Sequence, residues 1–189
     1  MGATTETSVK YLAEARTSQF TVQVFAGGVL SAFGHSPTIV IRDFSAVVQL
    51  NSEDLTKSSL KVTINPESLA VRDEVPDKDR REIERTMKQE ILETSAYPEI
   101  VYDCSNVAVS KTGEGHYSVT CNGDLTMQGI TRSKSVSARV ALGEDSLRAF
   151  GNFSILHSDY GLKLVTIAGG ALKVKDELKF SFNILARKE

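Results

Sequence analysis

Three adjacent residues, His157, Ser158 and Asp159, carry the side-chain types of a nucleophilic hydrolase. In such an enzyme a histidine takes the serine proton, a carboxylate orients the ring, and backbone N–H groups stabilise the oxyanion. Those roles depend on positions in space, and neighbours along an extended chain point to opposite faces. Adjacency alone therefore does not predict a triad. A small hydrolase or isomerase that uses His157 and Asp159 is kept only as an alternative.

The other side chains that could do chemistry are few and widely separated. His35 and His116 stand apart, and no His-Glu-x-x-His or Cys-x-x-Cys spacing is present. The glycines at Gly27-Gly28 and Gly113-Glu114-Gly115 mark turns rather than a dinucleotide-binding loop, which would open a helix. We therefore predict no catalytic residues, no metal site and no cofactor, and we expect that the protein is not an enzyme.

Alternation of apolar and polar residues with a period of two dominates the chain. It is clearest over residues 20–25, 44–50, 60–64, 100–104, 117–127, 147–156 and 177–185. This period is typical of strands with one buried face and one hydrated face. Turn signals such as Gln128-Gly129 separate the runs. Consecutive strands joined by short turns predict an antiparallel meander.

One segment, residues 79–93, has a helical period instead. Its apolar stripe recurs every four residues, at Ile83, Met87 and Ile91. Asp79 and Glu82 predict a capping box at its start, and Glu84 and Lys88 predict an i,i+4 ion pair. The opposite face is densely charged, and we expect it to be solvated.

Composition narrows the class of protein. The chain has 189 residues, 41% of them hydrophobic, no Trp and a formal net charge of −2. These values exclude a disordered chain and argue against a nucleic-acid partner, and no apolar run is long enough to predict membrane insertion. We predict one globular domain over residues 11–187 with an N-terminal extension, residues 1–10. Because the N-terminus lacks a secretory signal pattern, a cytoplasmic location is expected, or a periplasmic one for a cloned mature domain.

A meander of about eight strands has exposed edges unless it closes, so we predict a mainly β fold, an antiparallel eight-stranded barrel with one α-helix between strands. Such a barrel is either filled by side chains or holds one small ligand. Cys104 and Cys121 share the inward parity of strands expected to be neighbours. Buried free thiols are favoured over a disulfide where no oxidising compartment is indicated.

Five stretches resemble, in order, motifs of the YceI-like lipid-binding proteins. They are Thr17-Ser18-Gln19-Phe20-Thr21-Val22, Ile64-Asn65-Pro66-Glu67-Ser68-Leu69, Ala96-Tyr97-Pro98-Glu99-Ile100-Val101-Tyr102, Asn122-Gly123-Asp124-Leu125-Thr126-Met127-Gln128-Gly129-Ile130-Thr131 and His157-Ser158-Asp159-Tyr160-Gly161. The resemblance implies a lipocalin-like barrel whose elongated cavity holds an isoprenoid or another long-chain amphiphile, with no catalytic residues. Two departures are that His157 stands where the family usually has Arg, and that Pro37 falls in the expected second strand.

The main functional prediction is binding and sequestration or transport of a long-chain amphiphile: an isoprenoid, an isoprenoid quinone or a fatty-acid derivative. The predicted wall residues are Phe20, Val22, Ile41, Phe44, Val62, Ile100, Tyr102, Leu125, Ile155 and Phe182. His35 and His157 are candidates for the polar end of the ligand, although hydrogen bonds to backbone carbonyls are the favoured explanation for these two residues. A packed barrel that acts as an interaction module is a further alternative, and a homodimer is left open.

Overall fold

The computed structural model describes residues 8–13, 15–27, 36–164, 166–167 and 172–189. The strands within them are β1 (Ser8–Ala13), β2 (Gln19–Gly27), β3 (Thr38–Ile41), β4 (Phe44–Asn51), β5 (Ser59–Ile64), β6 (Leu69–Val71), β7 (Ile100–Gly113), β8 (His116–Met127), β9 (Ile130–Leu142), β10 (Ser146–Leu156), β11 (Thr166–Ile167) and β12 (Leu172–Lys188). Helix α1 (Asp77–Arg85) continues into a π-helical turn over Thr86–Ile91. No helix in these ranges is long and apolar enough to cross a membrane.

Eight of the strands form a closed antiparallel barrel, as the alternation predicts. Their order is β1-β4-β5-β7-β8-β9-β10-β12, and β12 pairs back onto β1, where Arg187 faces Leu12. Closure removes the exposed edges that a sheet of this size would otherwise carry. Strand β1 starts at Ser8, so the last three residues of the expected N-terminal extension belong to the barrel.

The sheet continues beyond the closed ring through β2, β3 and β6. β12 is long enough to pair with β10 on one side and with both β1 and β2 on the other. β3 pairs with β2, and β6 pairs with β3. Pro37 precedes β3, and its carbonyl accepts the Val24 N–H at 3.0 Å. Pro37 thus contributes only its carbonyl to the pairing with β2, and its ring nitrogen, which has no hydrogen to donate, lies before the first residue of β3.

A bulge in β7 reverses which residues face inward. Opposite Gly123 of β8, strand β7 has two residues, Cys104 and Ser105. Before the bulge the buried β7 residues have even numbers, and after it Val107 is buried and Val109 half-buried. Because an extra residue shifts strand parity, the simple alternation visible in the sequence ends at Cys104 although the strand runs to Gly113.

Helix α1 and the turn after it close one end of the barrel. The predicted stripe of Ile83, Met87 and Ile91 packs against the main hydrophobic cluster. The predicted cap is wrong, because the helix begins at Asp77 after Pro76 and so Asp79 lies within its first turn. The side chain of Gln128, in the β8–β9 turn, donates to the carbonyl of Ile91 and ties this end to the barrel.

The charged face of α1 is partly used to hold the helix on the sheet. Arg80 donates to the carbonyls of Val71 and Asp73, and the Glu84 carboxylate accepts the Val71 N–H at 2.9 Å. The predicted ion pair of Glu84 with Lys88 is therefore wrong. The prediction that the charged face of the helix is fully solvated is also wrong. β6 lies at the end of the sheet, where backbone groups without a neighbouring strand need other partners. The helix side chains supply those partners.

Candidate ligand-binding site

The barrel encloses a cavity of about 410 Å³, within the range of small-molecule sites. Its walls come from the inward faces of the barrel strands, from β2 and β3, and from the helical segment. The lining is almost entirely apolar. The polar side chains that reach it are those of Ser58, Ser59, Asp73, Thr86, Tyr102, Tyr117 and His157, together with the Cys121 thiol. A space of this kind fits apolar ligands better than polar ones, because buried polar groups need partners.

Most of the predicted wall residues line this cavity. They are Phe20, Val22, Ile41, Phe44, Val62, Ile100, Tyr102, Leu125 and Phe182. Ile155 is different: it is buried in the main hydrophobic cluster but does not line the cavity. Phe153 and His157 on either side of it do line the cavity, so the predicted inward parity is right and close packing keeps Ile155 away. His35 lies outside the described residues.

Several wall residues were not among those predicted. The ring of Phe180 lies 6.2 Å from that of Phe20 and is stacked on Phe153, with ring centroids 4.7 Å apart. Both Phe153 and Phe180 share the inward parity of their strands, so the alternation could have identified them. The helical stripe also lines the cavity, through Ile83 of α1 and through Met87 and Ile91 of the π-helical turn. That contribution depends on how the helix docks, and periodicity alone does not show it.

Tyr102 contributes a ring to the wall, while its hydroxyl is already engaged. The hydroxyl oxygen lies 2.9 Å from the carbonyl oxygens of both Cys121 and Lys134, and its one proton is shared between these two acceptors. Burial raises the pKa of Tyr102 well above its usual range. The ring lies over Gly123, where an added Cβ would be 2.9 Å from Cζ. Tyr102 is therefore a neutral, fixed wall element.

His157 is the polar group that stands out in the wall. The residue is only 4% exposed, and neither Nδ1 nor Nε2 has a hydrogen-bond partner among the described residues. Burial lowers the pKa of the imidazole, an effect that the nearby Asp176 carboxylate opposes. A lowered pKa keeps the ring neutral near pH 7, with one N–H donor and one nitrogen acceptor.

The neighbours of His157 do not form a triad with it. Ser158 and Asp159 are exposed, whereas the imidazole is buried. The Ser158 hydroxyl donates to Asp176 at 2.6 Å, and Arg132 donates to the backbone carbonyl of Asp159 at 3.0 Å. The side chains of the three adjacent residues diverge, so these three do not form the nucleophile–base pair that a hydrolase needs.

The two cysteines lie on the paired strands β7 and β8, as predicted. Both are free thiols. Cys104 is buried, and its thiol is 3.4 Å from the carbonyl of Asn106. Burial, reinforced by the neighbouring Cys104, raises the pKa of Cys121 to about 12. A thiol with a raised pKa is a poor nucleophile at neutral pH, so Cys121 serves the wall as a small apolar group.

Comparisons with known proteins agree with this architecture. BcnA of Burkholderia cenocepacia is 17% identical, with a TM-score of 0.69 over 92% of this chain and 98% of that one. A polyisoprenoid-binding domain of Saccharophagus degradans, implicated in plant cell wall breakdown, is 14% identical, with a TM-score of 0.68 over 95% and 98%. The YceI protein of Campylobacter jejuni is 16% identical, with a TM-score of 0.56 over 80% and 84%.

At these identities the solved structures show the fold alone. A search of curated protein sequences finds no match. The family model for the YceI-like domain matches residues 11–186, which includes nearly the whole barrel. The chain therefore belongs to the YceI-like family.

Proposed function

We propose that this protein binds a long-chain amphiphile, such as an isoprenoid, an isoprenoid quinone or a fatty-acid derivative, and sequesters or carries it without catalysis. The observation that carries the proposal is the cavity of about 410 Å³ with its nearly continuous apolar lining. The relative from Saccharophagus degradans, described as a polyisoprenoid-binding domain, supports the same class of ligand.

The energetics favour a long ligand over a short one. Each buried methylene contributes about 0.8 kcal/mol, so ten of them contribute about 8 kcal/mol. Association itself costs about 4–15 kcal/mol in lost freedom of motion. A short apolar molecule therefore gains too little to bind tightly, and the gain comes to exceed the cost only as the buried chain lengthens.

A cavity-filling substitution tests the proposal. Ala138 of β9 lines the cavity, and its neighbour Arg139 is exposed on the outer face of the same strand. Ala138→Phe is expected to weaken binding of the uncharged probe N-phenyl-1-naphthylamine by about tenfold or more, because the new ring displaces ligand groups worth about 0.8 kcal/mol each. Arg139→Phe is the matched control, and its affinity is expected to equal that of the unmodified protein.

Two results would contradict the proposal. If Ala138→Phe and Arg139→Phe bind the probe equally well, the ligand does not occupy the barrel interior. If the protein steadily releases p-nitrophenol from a long-chain p-nitrophenyl ester, and His157→Leu abolishes this release, the molecule is a hydrolase and not a carrier.

A further inference from the structure

The imidazole of His157 is an exception among the buried polar side chains of the described residues. Buried side-chain nitrogen and oxygen atoms in folded proteins nearly always have hydrogen-bond partners. Among the described residues, the two ring nitrogens of His157 are the buried side-chain polar atoms without one. The same ring forms part of the cavity wall. Both nitrogens are buried in this orientation of the ring, so a turn of the ring toward the cavity makes its unpaired donor and acceptor available to a ligand there.

The polar groups around His157 are committed elsewhere. The Asp176 carboxylate accepts the N–H and the hydroxyl of Ser158, at 2.8 and 2.6 Å. The backbone carbonyl of His157 accepts the Leu162 N–H at 3.1 Å. These bonds hold the 3-10 turn His157–Tyr160 against β12 and fix the backbone from which the imidazole projects. The ring is positioned by its surroundings without being hydrogen-bonded by them.

The charged side chains that line the cavity, and the absence of cations among the described ones, limit which ligand groups can bind to this ring. No Lys or Arg is among the described residues that line the cavity, and the one carboxylate there, Asp73, accepts the Thr38 N–H. A phosphate or diphosphate placed there would lose its hydration without gaining a cation, which is costly in an apolar space. A neutral imidazole instead matches a hydroxyl or carbonyl oxygen, which needs one hydrogen-bond partner.

We infer that His157 is the specificity-determining residue of the site, and that it hydrogen-bonds an uncharged oxygen group, a hydroxyl or a carbonyl, on the lipid. The inference rests on the proposed function, since it assigns a headgroup class to the amphiphile proposed there. The protein consequently selects long-chain alcohols, ketones or quinones over their phosphorylated counterparts and over plain hydrocarbons.

The position of His157 leaves room for the tail. It follows β10 at the end of the barrel that α1 closes, whereas Leu147, also on the cavity wall, starts β10 at the opposite end. Ten strand residues span up to about 33 Å, reduced along the barrel axis by strand tilt. A chain anchored at His157 can thus extend past Phe180 and Phe153 toward Leu147 within apolar walls.

Three ligands of equal chain length test the inference: hexadecan-1-ol, hexadecyl phosphate and hexadecane, each displacing N-phenyl-1-naphthylamine. The unmodified protein is expected to bind the alcohol about tenfold more tightly than hexadecane, the effect of about one hydrogen bond, and more tightly than the phosphate. His157→Leu is expected to lose this preference, while His157→Gln, which keeps a donor and an acceptor, should retain most of it.

Folding does not confound this comparison, because His157→Leu replaces an unpaired polar ring with an apolar group in an apolar site. A structural role would not predict retained hydrocarbon binding together with lost alcohol preference. The ring nitrogens of His157 should also shift in ¹⁵N NMR spectra on addition of hexadecan-1-ol, whereas those of the exposed His116 should not.

The outcomes separate the two proposals. Equal affinity for hexadecan-1-ol and hexadecane in the unmodified protein, or tighter binding of hexadecyl phosphate, overturns the role of His157 but leaves lipid binding intact. Failure of all three to displace the probe, with no direct binding of hexadecane, overturns the proposed function and the inference with it.

Discussion

Gly123 is a position in the barrel where one added methyl group is expected to cause a large loss of stability. A Cβ at this site would lie 2.4 Å from the Asp103 carbonyl oxygen, 2.8 Å from the Cys104 Cβ and 2.9 Å from the Tyr102 Cζ. Two of these atoms belong to backbone or to a Cβ fixed to it. Gly123→Ala therefore requires that Tyr102 leave its place or that β7 and β8 separate.

The size of the effect follows from these contacts. Overpacking a closely packed site costs about 1–3 kcal/mol. Displacing Tyr102 also breaks the bonds of its hydroxyl to the carbonyls of Cys121 and Lys134, which contribute about 1 kcal/mol. A loss of about 3 kcal/mol lowers the Tm of a chain of this size by roughly 6–12 °C.

Urea unfolding followed by circular dichroism measures this loss, with Gly113→Ala as the matched control. Gly113 lies in β7 without a positive φ, and the nearest atom to its added Cβ is the His116 Cβ at 3.7 Å. Gly113→Ala is expected to be neutral or to stabilise the protein by about 0.4–1 kcal/mol. Equal free energies of unfolding for the two variants would refute the described packing of Tyr102 against Gly123.

Two further predictions concern His157 and Cys121. Burial lowers the pKa of His157 in the folded state, so the unfolded chain takes up this proton first as the pH falls. The contribution of the neutral imidazole to the free energy of unfolding is therefore complete above about pH 6.5, and it is lost as the pH falls toward the lowered native pKa. The free energies of unfolding of the unmodified protein and of His157→Leu are measured across this pH range. Their difference reports the titration of His157 and not that of Asp176, and a difference independent of pH would contradict the prediction. At pH 8 we expect Ellman's reagent to modify Cys121 on the order of a thousandfold more slowly in the folded protein than in denaturant. The reason is that the thiol is buried and its pKa is raised to about 12. Equal rates would show that the thiol is accessible in the folded protein.

The alternation of apolar and polar residues along the sequence predicted the individual strands and the apolar stripe of the helical segment. Strands such as β4 and β5 show their period because one face lines the cavity along the whole strand. The stripe of Ile83, Met87 and Ile91 was visible for the same reason, and it packs as predicted.

The features that failed depend on distant partners. Glu84 was expected to pair with Lys88, but the Val71 N–H offers a backbone donor that no helix pattern reveals. Lys88 instead approaches Glu67 at 3.7 Å. The bulge at Cys104 is likewise a consequence of pairing with β8, and it hides the second half of β7 from a search for alternation.

The candidate site shows the same division. Parity along the strands identified most of the apolar wall, since inward residues of a barrel share it. That His157 is buried with both nitrogens unpaired depends on where the Ser158–Asp176 bonds hold the turn, which adjacency in sequence does not show. Its role as the polar contact was a prediction and stays one.

The most direct test of the central claim is the affinity of the protein for a series of straight-chain alcohols, from octan-1-ol to hexadecan-1-ol. If the chain enters the apolar cavity, each added methylene is buried and the Kd should fall about fourfold per carbon until the cavity is filled. A Kd that does not change along the series would contradict the account, because it would show that the chain stays outside the barrel.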